Sequence, residues 1–328
     1  MLPAYSVILF TTSAGAGYGL LFLLAIVMPR GSVPLDTSFA VVSMGLALVL
    51  ITIGVLRSTF HLGHPERAWR AMSQWRSSWL SREGVAALFT YIPTGLLSIA
   101  WIFMGQNTGD WITLIATLAW IGALLTVFCT GQIYASLPTV RQWNHPLTTP
   151  VYLMLALASG SLCLNTLMRL FVSPEQWCDI LVIVSVVCAW VAKRGYWRSI
   201  DMARELNTVE SATGLGHLGK VKLLDPPHSS ENYLMREMGF KVARKHALQL
   251  RKVAQILGLY VPLVATVAML FSVGTLGNIH ALGALVSGMT GIAIERWLFF
   301  AEAKHLSLIH ISEPTRRTPI SYAVFCLK

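Results

Sequence analysis

Apolar residues fall in long uninterrupted blocks along this sequence, separated by short polar stretches. The pattern shows neither the alternation of a half-buried strand nor the stripe of an amphipathic helix. Eight blocks are long enough to cross a bilayer, which takes about 17–25 residues in helical form. They are Tyr5–Met28, Ser38–Phe60, Gly84–Met104, Trp111–Ser136, Thr149–Val172, Trp177–Lys193, Val253–Ser272 and Ile279–Phe300. Lipid offers no water to backbone amides, so each span must be a helix or part of a closed barrel. The blocks are too long and too continuous for barrel strands. The fold class expected is therefore all-α, a polytopic bundle of eight transmembrane helices. Pro29-Arg30-Gly31, Gly105–Gly109 and Ser173-Pro174 punctuate the spans as breakers should. Trp75, Trp79, Trp101, Trp111, Trp143 and Trp177 fall near span ends, where interfacial aromatics are expected.

The connections alternate in character. Those after the first, third, fifth and seventh spans are short and nearly neutral. Those after the second, fourth and sixth carry most of the basic residues, among them Arg67, Arg70, Arg76, Arg82, Arg141, Arg194, Arg198, Arg244 and Arg251. The positive-inside rule assigns this second set, and with it both termini, to the cytoplasmic face of a bacterial inner membrane. The sixth connection, Arg194–Lys252, is the only sizeable polar segment and is too short for a typical catalytic domain. Its Glu237–Lys252 stretch reads as a basic helix, either a docking surface for a partner or anionic lipid or an ordinary loop.

Composition agrees: 55% of residues are hydrophobic and 12% charged, with mean hydropathy +0.61. A soluble domain carries about 25% charged residues. A net charge of +10 would suggest nucleic acid in a soluble protein, but here the charge lies between spans and no RNA-binding aromatic motif accompanies it. The cysteines, Cys129, Cys163, Cys178, Cys188 and Cys326, form no CxxC pair and no iron–sulfur or zinc signature. The first block has no positive residue before it, so it is expected to be a helix and not a cleaved leader.

Candidate chemistry concentrates in Ser58–Gly84, STFHLGHPERAWRAMSQWRSSWLSREG, which holds His61, His64, Glu66, Arg67, Arg82 and Glu83. Ionisable groups at membrane depth are costly and hence suspect. His61 ends the second span and Glu83 begins the third, so the connecting loop brings both to one membrane face. A histidine and a carboxylate there suit the proton chemistry of a quinol. The alternative is a set of interfacial charges that snorkel and fix topology. Glu295 and Glu302, seven apart on one helix face, either line a proton path or close the last helix with Arg296 and Lys304 as counter-charges. His145, His246, His280 and His305 lie mostly at interfaces or in loops, with no opposed pair at mid-depth for haem. His61 and His64 lack companion ligands for a metal site. Gly214–Gly219 matches GxGxxG, but without a flanking strand and helix it reads as a turn and not as a dinucleotide site.

HLGHPERAWRA followed by SWLSREG resembles the loop of the membrane anchor subunit family of dimethyl sulfoxide reductase. SATGLG, NYLMREMGF, VARKHALQLRKVA and ERWLFFAEAKH resemble the same family in the same order, over nearly all of Met1–His305. The resemblance implies an eight-helix membrane anchor without haem or iron–sulfur cluster of its own. It implies partners: an iron–sulfur electron-transfer subunit and a molybdopterin catalytic subunit. It also implies anaerobic respiratory electron exchange with menaquinone or ubiquinone, with His61 and Glu83 as quinone-binding residues and Arg67 matching the arginine of the same loop; Arg82 and His64 lie beside them. His64-Pro65-Glu66 and the long sixth connection depart from the dimethyl sulfoxide reductase pattern and resemble the branch that includes the anchor of sulfite dehydrogenase. That leaves open the partner's substrate and the direction of electron flow. A small-solute transporter is a rival of another class, although no repeat between the halves supports it; a purely structural anchor is a third.

The last segment, Leu306–Lys328, reads LSLIHISEPTRRTPISYAVFCLK. It resembles translated sequencing adapter, first of transposase type and then, at Ile320–Leu327, of flow-cell type. The resemblance implies a read-through segment, disordered and without part in the fold. The anchor domain is accordingly expected to be residues 1–305. Resequencing the locus from genomic DNA tests this; the same codons in an independent long read would refute it.

Overall fold

The computed structural model describes residues 3–60, 68–172, 175–202, 214, 216–219, 243, 245–272 and 274–303. His61, His64, Glu66, Arg67 and the segment from Lys304 onward lie outside the described residues. Among the described residues, eight helices are long and apolar enough to cross a membrane. They are α1 (Pro3–Val27), α2 (Thr37–Phe60), α3 (Trp79–Ile102), α4 (Asp110–Ala135), α5 (Thr148–Phe171), α6 (Gln176–Met202), α7 (Ala247–Met269) and α8 (Thr275–Ala301). Each corresponds to one apolar block of the sequence. Three ends differ. Helix α3 starts at Trp79 and not Gly84, α6 runs to Met202 and not Lys193, and α7 starts at Ala247 and not Val253. In each case polar residues continue a helix whose backbone is already hydrogen-bonded, so hydropathy alone ends it early.

Helices α1 and α5 form the centre. Helix α1 packs against α2, α4, α5 and α8, and α5 against α1, α4, α6 and α8. Small residues permit this crowding, as expected where apolar burial cannot drive one helix onto another in lipid. A Cβ on Gly19 would sit 1.9 Å from the Ala156 carbonyl oxygen, and one on Gly160 would sit 2.2 Å from the Gly19 carbonyl carbon. The α1–α5 crossing is therefore backbone against backbone. Helix α7 contains a π-helical turn, Ile256–Tyr260. The Gly258 carbonyl within it accepts the Trp190 indole N–H at 2.8 Å, which locks α6 to α7.

Side-chain bonds define two ends of the bundle. At one end the α4–α5 connection is tied to the ends of α6 and α8. Trp143 donates to the Phe299 carbonyl (3.0 Å), Tyr196 to the Gln142 carbonyl (2.8 Å), and His145 pairs with Ser199 (2.8 Å). Arg251 at the start of α7 joins Glu302 and Asp201 at the same end. At the other end Asn107 donates to the Val33 carbonyl (3.2 Å). Arg169 of α5 pairs there with Asp179 of α6 (2.6 Å), and Asn165 donates to the same carboxylate at 2.9 Å. Trp101 and Trp143, expected as interfacial aromatics, are buried inside the protein. Their indole N–H groups serve backbone carbonyls of Pro34 and Phe299, so packing and not lipid fixes them. Gly214 and Gly219 have φ of +68° and +136° around a single 3-10 turn, consistent with the turn reading of that glycine-rich stretch.

Candidate functional site

Helix α3 leaves the basic loop with Trp79, Ser81 and Arg82 in its first turns. Glu83 follows about one turn inside, at about 1.5 Å per residue, and its side chain faces inward. It is buried, 7% exposed, and accepts a hydrogen bond from Thr130 of α4. No ion pair to Glu83 is seen among the described residues. A carboxylate so placed is costly unless its charge is compensated nearby. Arg82 turns the other way. Its guanidinium donates to the carbonyls of Trp75 (2.9 Å) and Arg76 (2.7 Å) and lies 4.2 Å from the Trp79 ring centroid. It holds the loop against the head of α3 and does not contact Glu83. Of the five residues expected to bind quinone, Glu83 and Arg82 are thus described, and His61, His64 and Arg67 are not.

A small cavity lies behind Thr130. It measures about 20 Å³ and is lined by Thr11, Thr12, Tyr18, Thr130, Tyr152, Ser159 and Arg296, with apolar residues of α1, α4, α5 and α8. Arg296 belongs to a second buried group. Glu295, wholly buried, lies 2.5 Å from Lys193 Nζ of α6 and 2.5 Å from Arg296 Nε. Lys193 sits 4.0 Å from the centroid of the Tyr196 ring, and the Arg296 guanidinium 4.0 Å from that of Tyr152. This cluster holds two cations and one anion. Glu83, across the cavity, is a carboxylate with no cation paired to it among the described residues.

Glu302 accepts two hydrogen bonds from Arg251, at 2.7 and 2.9 Å, and Arg251 also donates to Asp201 at 2.7 Å. Glu295 lies on α8 and Glu302 caps it, and each has its own partners: α6 and Arg296 for the first, the head of α7 for the second. Lys304, the other expected counter-charge, lies outside the described residues. The buried cation that sequence reasoning missed is Lys193. The signal was present: Trp190, Lys193 and Trp197 keep helical spacing, so the lysine stands on the apolar face of a helix that continues past it.

An open groove of about 450 Å³ lies beside α4 and α5, lined in part by Phe128, Gln132, Asn144, His145, Thr149 and Leu153. His145 accepts the Leu147 N–H at Nδ1 (3.1 Å), so Nε2 carries the proton and donates to Ser199. Burial pushes the His145 pKa down from its ordinary value. Among the described residues, no cluster of His, Cys, Asp or Glu is placed to hold a metal ion.

Eight spanning helices around buried, partly unbalanced charge define a polytopic membrane protein. Residues 1–301 match the family described as DMSO reductase anchor subunit (DmsC), and the protein belongs to that family. It is 31% identical to the C subunit of the sulfite dehydrogenase of Allochromatium vinosum, over 93% of its own length and 97% of that protein. It is 24% identical to the corresponding C component of the anaerobic dimethyl sulfoxide reductase of Escherichia coli, over 63% of its own length and 71% of that one. No solved structure matches.

Proposed function

We propose that this protein is the quinone-reactive anchor of a membrane oxidoreductase complex. It passes electrons between the quinone pool and an iron–sulfur subunit that serves a molybdopterin catalytic subunit. The observation that carries the reading is Glu83: a buried carboxylate with no cation paired to it among the described residues, one turn from a basic loop, in a member of an anchor family. Quinol oxidation releases two protons with its two electrons, and quinone reduction takes them up. A buried carboxylate and a histidine close to it in sequence, here His61, suit that exchange. The exchangeable cofactor is menaquinone or ubiquinone. Membership of an anchor family favours this reading over a transporter.

The higher identity and fuller coverage of the sulfite dehydrogenase relative favour a sulfite-oxidising partner, with electrons entering the quinone pool. The test uses the purified complex. Glu83→Gln and His61→Ala should each abolish quinone-coupled turnover while a soluble dye still accepts electrons from the catalytic subunit. Unchanged quinone-coupled turnover in both variants refutes quinone contact at this site and leaves a structural anchor. Activity of the wild-type complex with sulfite, or with dimethyl sulfoxide, decides the partner's substrate.

A further inference from the structure

The cavity behind Thr130 is too small for a quinone, because small-molecule sites occupy roughly 300–1,000 Å³. At about 20 Å³ it suits one water molecule, which needs about 10–15 Å³ and two to four polar partners. Its lining offers such partners. The Thr12 hydroxyl is buried without a hydrogen-bond partner, and the Tyr18 and Tyr152 hydroxyls and both terminal nitrogens of Arg296 make no bond of good geometry, although Tyr152 lies beside Arg296 and Tyr18 beside Thr126. Thr12 is 8% exposed, Tyr18 3%, Tyr152 5% and Arg296 2%. A buried polar group is costly if left unsatisfied. Four helices bring them together: Thr12 and Tyr18 on α1, Tyr152 on α5, Arg296 on α8, and Thr130 on α4 as the link to Glu83.

We propose that this cavity is an internal water site joining Glu83 to the Arg296–Glu295–Lys193 cluster, and that Glu83 exchanges its proton through it. The net transfer is one proton by a two-step relay: with Glu83 protonated, the Thr130 hydroxyl turns to accept from it, the carboxyl O–H breaks as an O–H forms on Thr130 Oγ1, the original Thr130 O–H breaks as one forms on the water, and no electron is transferred. The reverse step loads the carboxylate. The groups around this path are Tyr18, Tyr152, Thr12, Thr130 and Arg296, with Tyr134 and Cys129 nearby on α4. Beyond the water lie Arg296, Glu295 and Lys193, with Glu302 and Asp201 around Arg251 next to them. The water site stands on the geometry; its use in proton exchange rests on the quinone reading above.

The test is infrared difference spectroscopy of the whole complex in lipid nanodiscs, without added quinone, switching between acidic and alkaline buffer. The Glu83 carboxyl band is identified by its loss in Glu83→Gln. It should be accompanied by a water O–H stretching band that shifts when oxygen-18 water replaces ordinary water. Thr12→Val, which keeps side-chain shape, and Arg296→Met should each remove or displace the water band. Thr12→Val should also slow quinone-coupled turnover several-fold. Absence of an oxygen-18-sensitive band in the wild type, or its persistence unaltered in both variants, overturns the proposal. Failure of the quinone reading would show instead as unimpaired turnover in His61→Ala and Glu83→Gln, with the water band still present.

Discussion

At the residue scale, the buried charges are unequal in their compensation, and that decides what their loss should do. Glu295 stands between two cations. Removing it leaves Lys193 and Arg296 buried together without an anion, which is the expensive half of breaking a buried pair, about 3–5 kcal/mol. Lys193→Met leaves Glu295 with Arg296 and fills the space with an apolar side chain. Glu295→Gln should therefore lower the unfolding midpoint of the detergent-solubilised protein far more than Lys193→Met. An equal or larger loss for Lys193→Met would mean that Arg296 is not an adequate partner. Glu83, Glu295 and Glu302 were legible in the sequence as ionisable residues in or beside apolar spans. Their partners were not. Lys193 was hidden because a lysine after an apolar run looks like a span end, and Thr130, Tyr18 and Tyr152 were hidden because contacts across four helices leave no local signature.

At the scale of elements, eight helices were legible from apolar run length alone, whereas several of their ends were not. Helix α6 shows why: Arg194, Arg198 and Asp201 read as loop, yet Trp190 and Trp197 bury one face and carry the helix on to Met202. The α1–α5 crossing yields a sharp prediction. Gly160→Val puts a Cβ within 2.2–2.6 Å of the Gly19 backbone, an overlap that only helix separation relieves, so little folded protein should accumulate in membranes. Gly45→Ala on α2 meets nothing within 4 Å and should accumulate normally. Equal levels of the two variants would show that the helices do not cross here.

The α4–α5 connection carries a pH-dependent tie. His145 can accept from the Leu147 N–H only when neutral, while its Nε2–H can donate to Ser199 in either state, and burial lowers its pKa from the ordinary 6.5. The unfolded state then binds a proton that the folded loop resists. The tie contributes fully above about pH 6.5 and weakens as pH falls below that value. Protection of the Leu147 amide from hydrogen exchange, corrected for the intrinsic rate, should drop across that range. In His145→Gln it should be flat; an identical drop in the variant would remove His145 as the cause.

At the scale of the whole molecule, charge is segregated along the bundle. The end that gathers the α4–α5 connection, the tail of α6, the head of α7 and the close of α8 holds Arg141, Arg194, Arg198 and Arg251. An even number of spans puts the basic loop at Arg70, Arg76 and Arg82 on that same end. The opposite end has Arg30 and the paired Arg169, set against Asp36, Asp110, Glu175 and Asp179. Basic residues in short connections favour the cytoplasmic side, so the end bearing Glu83 and the Lys193–Glu295–Arg296 cluster should face the cytoplasm, and the proposed iron–sulfur partner should dock there. A reporter that is active only outside the cytoplasm gives the test. Fused after residue 33, 106 or 273 it should be active; fused after residue 74, 141 or 218 it should be silent. The opposite pattern would move the proposed docking face to the other side of the membrane, and with it the side on which the proposed quinone chemistry would exchange protons.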